Sequence, residues 1–260
     1  MFTSNPFVEL SATIAPSVMQ TYIIVMVILV ALGTIYDVIH KRSAQYFREN
    51  MKKARASGTK VGGGEMVSIA VKTAVVDVAL SGEFCHMNRR IAHLLGMYGF
   101  VLFALATAMM VFRYPTGETA TPAIWPLLWW LGAAMVCVGG YWFWFFIRVD
   151  VQAEGNSPFR LMKADLFILS LLGSATFALV WGYLQTQGHG WTMIAFWLHV
   201  LFTTILFASV PWSKFAHMFF KPAAAFEKRM SAANGTRSNL PAPADEPEKF
   251  SKVSHSPRNY

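Results

Sequence analysis

The sequence predicts an all-α integral membrane protein: a five-transmembrane-helix bundle with the N-terminus outside and the C-terminus cytoplasmic. Three observations carry that prediction. The 260 residues are 55% hydrophobic and only 14% charged, against about 25% charged in an ordinary soluble domain. Five apolar runs, 16–38, 91–112, 124–147, 166–184 and 192–213, approach or exceed the roughly 20 residues that cross a bilayer. The basic residues then fall on alternate connections. Of 22 Lys and Arg, ten lie in 41–90, three (Arg148, Arg160, Lys163) flank the connection after the third run, and eight follow the fifth run from Lys214 onward. Arg113 alone stands apart, at the end of the second run. Lys and Arg accumulate on cytoplasmic loops. The net charge of +8 therefore reads as membrane topology, with no nucleic-acid partner.

Residues 1–15 form a short outer segment. They lack a basic n-region and a cleavage site, so the first run is expected to act as an uncleaved signal. Residues 16–220 read as one membrane domain, which includes the cytoplasmic connection 41–90. The first half of that connection, KRSAQYFRENMKKARASGTK, is basic and polar. After Gly62–Gly64 comes EMVSIAVKTAVVDVAL, whose spaced aliphatics suit a short helix lying on the membrane face, on a partner, or packed within the chain. VGGGE has neither nucleotide-loop spacing nor a preceding strand, so it is no phosphate site. The outer connections YPTGETATPAI and QTQGHG are short and turn-like, and RVDVQAEGNSPFRLMK is a polar inner loop. Residues 221–260 read as a cytoplasmic tail, largely disordered after 231 because Ala, Pro, Ser and charges dominate it. No internal repeat is present.

The two cysteines, Cys85 and Cys137, make neither a CxxC pair nor a CxxCH haem-attachment motif, which argues against iron–sulfur clusters or covalent haem on this chain. Seven histidines occur, at 40, 86, 93, 189, 199, 217 and 255. Polar residues within membrane helices are costly and mark function. His199 and His217 are 18 residues apart, which on one continuous helix is five turns: the same face, about 27 Å apart. His93 starts the second run and His217 ends the fifth, so both belong at the cytoplasmic level. Two neutral imidazoles facing each other are an axial pair for haem iron. Gly96 and Gly99 reduce bulk beside His93, Gly139 and Gly140 do so on the third helix, and Arg89 and Arg90 stand where propionates would emerge. His199 has no histidine at its own depth on the second helix. Met110 is near in depth but about 100° round the helix, and His189 is poorly placed. A quinone hydrogen bond, a second haem and a structural hydrogen bond all remain open for His199. A quinone site involves either His199 with Tyr114 or Arg113, or the inner level. His40 and His86 read as solvated or partner-facing.

These motifs resemble a known superfamily. PWSKFAHMFF (211–220), FWLHVLF around His199 and RRIAHLLGMYGF (89–100) resemble the gamma subunit of respiratory nitrate reductase, a five-span, N-out cytochrome b. AVVDVALSGEFCHMNRRIAHLLGMYGF and PWSKFAHMFFKPAAAFEKRM look closer to the membrane subunits of sulfur-metabolism complexes. These include the quinone-interacting oxidoreductase partnered with adenylylsulfate reductase and the membrane anchor associated with that enzyme. The resemblance spans about residues 20–220. It implies His93 and His217 as axial ligands of the cytoplasmic-side haem b. It also pairs His199 with a histidine where this chain has Phe103, which puts a second haem in doubt. The implied role is electron transfer between cytoplasmic flavin/iron–sulfur oxidoreductase subunits and the membrane quinone, in the inner (cytoplasmic) membrane, with substrate chemistry on the partner. A haem-free anchor or assembly protein for a soluble redox complex is the alternative. A transporter is disfavoured, because few polar residues lie near the midplane.

Overall fold

In the computed structural model the described residues are 2–40, 59–82, 84, 86–212 and 217–236, with Glu49, Lys52 and Ala56 between the first two stretches. Most of the basic stretch 41–58, together with Cys85, Lys214 and the tail beyond Thr236, lies outside them.

The helices are α1 (Pro6–Leu10), α2 (Pro16–His40), α3 (Gly63–Lys72), α4 (Met87–Phe112), α5 (Ile124–Trp142), α6 (Val149–Gln152), α7 (Leu166–Thr186), α8 (Thr192–Ala208) and α9 (His217–Ala233). π-Helical segments extend α3 (Thr73–Ala79) and α5 (Phe143–Ile147), and a 3-10 turn, Lys163–Asp165, introduces α7. No strand occurs among the described residues. Four helices are long and apolar enough to cross a membrane: α2, α4, α5 with its extension, and α7. The fifth predicted run appears as α8, a shorter apolar helix of 17 residues.

That shortening corrects one expectation. The run was read as continuous through residue 213 and beyond, whereas α8 ends at Ala208 and Ser209–Trp212 turn. Pro211 supplies the reason, since it has no N–H for an intrahelical bond and pushes the residue before it out of helical geometry. His199 and His217 therefore belong to different helices, and the five-turn, same-face argument does not apply to them. α9 runs to Ala233, and Asn234 is buried with its carbonyl accepting the Thr59 N–H at 2.9 Å; the expectation for the tail falls mostly on residues outside those described.

The five apolar helices pack in a closed ring: α4 on α5, α5 on α7, α7 on α8, and α2 across α8 and α4. α4 and α5 approach most closely. A Cβ built on Gly132 would stand 2.5 Å from the Phe103 nitrogen, and one on Gly99 would stand 2.8 Å from the Gly132 carbonyl. Gly139 meets the Ala92 carbonyl in the same way, at 2.7 Å. Lipid tails are as apolar as the helices, so close backbone contact through small residues is what holds membrane helices together. On the other side of the ring, α2 turns Val18, Val27, Leu32, Ile35 and Ile39 outward, as a lipid-facing helix does.

The two ends of the ring differ. At the turn end, α1 folds over the bundle. Asn5 accepts the Phe7 N–H at 2.9 Å and donates to the Tyr114 carbonyl at 2.9 Å, and Gln185 donates to the Pro6 carbonyl at 2.7 Å. Phe7 then packs edge-on against Trp129 and Trp181. At the basic end, α3 and α9 pack on each other and are fastened to the first turns of α4.

Candidate functional site

The inner turns of α4 cap two other helices. Arg89 donates through Nη2 to the Ile147 carbonyl at 3.0 Å, the last of the π segment of α5. Arg90 donates through Nε to the Leu80 carbonyl at 2.7 Å, and the Tyr98 hydroxyl donates to the Ala79 carbonyl at 2.8 Å. Helix ends leave their last carbonyls without intrahelical partners, and these three side chains supply donors. Each guanidinium has five N–H donors, so one bond to a carbonyl leaves most of the fork for an anion such as a propionate.

His93 lies between these caps. Its Nδ1 is 2.9 Å from the Ser81 hydroxyl, and the Phe84 ring lies 4.9 Å from its own. Ser81 is buried and holds a φ of 50°. A hydrogen bond at Nδ1 orients the ring and makes Nε2 the nitrogen that a metal would take, the arrangement that accompanies most ligating histidines. One turn on, a Cβ at Gly96 would meet nothing within 4 Å. Open space therefore lies beside His93, where a flat group needs it. Gly99 and Gly139 do not share in that space, because the α4–α5 crossing fills it, and Gly140 is occupied by Leu172. His217 opens α9, but its side chain, and with it the proposed His93–His217 pair, lies outside the described residues. Of the two expected haem ligands, then, the structure describes His93 alone, with the Gly96 side of it open.

The level of His199 is filled by side chains. His199 is buried, and its Nδ1–H donates to the Ser174 carbonyl at 2.9 Å, with the Ser174 hydroxyl nearby at 3.4 Å. Trp181 stacks on the imidazole at 6.1 Å and 14°, and Phe103 meets it edge-on at 6.1 Å. Trp129, Trp181 and Phe196 are fully buried around it, and so is Met110. A second macrocycle would have to displace Phe103 or Trp181, which pack on the imidazole. Phe7 meets Trp181 edge-on and Trp181 in turn stacks on His199. The indole N–H groups of Trp129 and Trp181 are buried without an acceptor.

A cavity of about 230 Å³ opens at the basic end between α4 and α5, lined by His86, Asn88, Arg89, Trp142, Phe146 and Gln152 among others. Phe146, on its rim, is 67% exposed and leads outward to where lipid would lie.

Sequence reasoning passed over several residues that organise the chain. Ser81 was not singled out, nor was Ser174. Asp37 is only 2% exposed although it sits within α2; as the one acid among residues 16–40 it could have been found by the cost of burying charge. Arg148 was read as a loop marker. It is buried, bonds Asp165 at 2.7 Å, donates to the Pro158 and Arg160 carbonyls, and lies 4.1 Å over the Trp144 ring.

Comparison of the chain with protein-family models, with curated proteins and with solved structures finds no match.

Proposed function

We propose that this chain is a haem b membrane subunit that passes electrons between a soluble flavin/iron–sulfur oxidoreductase and the membrane quinone pool. The observation that carries the reading is the basic-end level of α4. There, an imidazole oriented at Nδ1 by Ser81 stands beside open space at Gly96 and below two arginines. In this reading the ring of five apolar helices spans the inner membrane, N-terminus out, with the basic end cytoplasmic. His93 and His217 hold the iron, and Arg89 and Arg90 neutralise the propionates. Bound haem b supplies reversible one-electron oxidation and reduction.

The chain's own residues then do three things. Ser81 holds the His93 ring through Nδ1. The Trp129–Trp181–His199 layer closes the opposite half of the bundle, so His199 is structural and a single haem is expected. The cavity with His86, Asn88 and Arg89 offers donors to a quinone carbonyl on the same side as the haem. The loop 148–163 and the start of α9 are the docking surface for the partner, with adenylylsulfate reductase as the best guess from the motif resemblance.

A reduced-minus-oxidised spectrum of the purified chain tests this. b-Type bands are expected, lost on His93→Ala or His217→Ala and retained on His199→Phe. Absence of bands in the native chain, or their survival in the His93→Ala/His217→Ala double variant, sinks the reading. The haem-free anchor would then stand, since the bonds from Arg90, His93 and Tyr98 also serve to fasten α3 to the bundle.

A further inference from the structure

We propose that α3 and its π extension lie in the membrane–water interface at the basic end, with one face against lipid acyl chains rather than against a soluble partner. Val67, Val71, Val75 and Val78 are 64%, 58%, 49% and 36% exposed, and Leu80 beyond them is 46% exposed. The spacing of four places Val67, Val71 and Val75 on one side of the helix, and the π geometry of Thr73–Ala79 carries Val78 further round. The opposite side is already occupied: Thr73 is buried, and Asp77 receives a two-pronged bond from Arg229 of α9, at 2.6 and 2.8 Å. α9 therefore cannot also cover the valines.

Two observations say what does cover them. The first is continuity. Tyr98 belongs to the outward face of α4, where Ile91, Tyr98, Val101 and Leu105 are exposed, and its hydroxyl holds the Ala79 carbonyl. The end of α3 is thus fastened to the surface that faces lipid in any membrane placement of α4. The second is depth. Tyr98 lies eleven residues into α4, about 17 Å from its start. With 26 residues, α4 measures about 39 Å against a hydrocarbon core of about 30 Å. The tyrosine side chain leans back toward the start of its helix, so Ala79 comes within the basic-end half of the core, below its border. Backbone carbonyls at that depth must be satisfied by protein, which Arg90 and Tyr98 do. Charge agrees: Lys72 is exposed beside the stripe and can snorkel to lipid phosphates, while of the two acids of the segment Asp77 faces α9 and Glu65 stands in the first turn, away from Ala79.

The test uses the full chain in lipid nanodiscs with Cys85 and Cys137 replaced by Ser. A nitroxide is placed at Glu65, Ser68, Val71, Val75 or Val78 in turn, and its collisions with oxygen are compared with those with a water-soluble nickel chelate. Labels at Val71, Val75 and Val78 are expected to meet oxygen several-fold more readily, relative to the chelate, than the label at Glu65 does. Equal ratios at Glu65 and Val75 overturn the proposal, because the stripe is then in water. Shielding of the valine labels from both reagents also overturns it, because protein, either a partner or a second copy, then covers the stripe. Neither readout depends on whether the chain carries haem.

Discussion

His93 and Ser81 meet at 2.9 Å across the junction of α3 and α4, with Ser81 held at a φ of 50°. The left-handed region costs a non-glycine residue roughly 1–2 kcal/mol. The bond to the imidazole accompanies that strain, and it occupies Nδ1 of the ring.

Two substitutions separate the backbone from the hydroxyl. Ser81→Ala and Ser81→Gly both remove the bond to His93, but only glycine relaxes the backbone. Ser81→Gly should therefore be more stable than Ser81→Ala by about 1 kcal/mol, measured as an ordering of unfolding temperatures in detergent. If the chain holds haem through His93, both should shift its midpoint potential in the same direction, because both release the ring. An identical stability in the two variants would mean that the conformation of Ser81 is unstrained.

The glycines of α4 should divide sharply. Gly132→Ala on α5, or Gly99→Ala, forces a methyl against backbone at 2.5–2.8 Å, so the α4–α5 crossing must open and the unfolding temperature must fall. Gly96→Ala meets open space, and by helix propensity alone it should stabilise by up to about 1 kcal/mol. If a porphyrin lies over Gly96, the same change lowers haem content while leaving the apoprotein stable. Unchanged haem content in a well-folded Gly96→Ala variant would place the cofactor elsewhere.

The membrane character, four long helices and the position of most turns were legible in the sequence because they depend on run length and on where charges fall. The second level of organisation was not. α8 stops at Ala208 because of Pro211, yet the run through residue 213 remained apolar enough to read as one helix. Gly99 and Gly139 looked like room for a cofactor, although small residues serve helix crossing and ligand approach equally well and only the neighbour decides. Residues 5–10 gave no apolar run, so their folding over Trp129 and Trp181 was invisible until the bundle had an end to cover. Phe103, noted as a departure from the resembling family, proved to be packed against His199.

The loop between α5 and α7 should depend on its buried ion pair. Arg148 and Asp165 are only 5% and 7% exposed at their side chains, and removing one partner of such a pair typically costs about 3–5 kcal/mol. Asp165→Asn or Arg148→Met should release residues 153–162 to rapid trypsin cleavage at Arg160. The double replacement Arg148→Met/Asp165→Leu should recover part of the loss, since no uncompensated charge remains buried. Equal protease resistance in wild type and Asp165→Asn would show that the pair does not hold the loop.

The docking of α9 on α3 should be insensitive to pH over the physiological range and fail only in acid. Hydrogen bonds from Arg229 hold the Asp77 carboxyl below the usual carboxylate range; burial opposes them, and the nearby Lys228 and Lys72 add to them. A group with a depressed folded pKa contributes stability that is present above its unfolded value, about 3.9 for Asp, and lost as pH falls through the lower folded value. A spin-label pair at Ser68 and Ala232 should therefore report one unchanged distance from pH 5 to pH 8, and broadening only below about pH 4. Asp77→Asn keeps the shape but not the charge. It should broaden the distance at neutral pH and abolish the acid step. If Asp77→Asn leaves the distance sharp at pH 7, the packing of α9 on α3 rests on its apolar contacts and not on the Arg229–Asp77 bond.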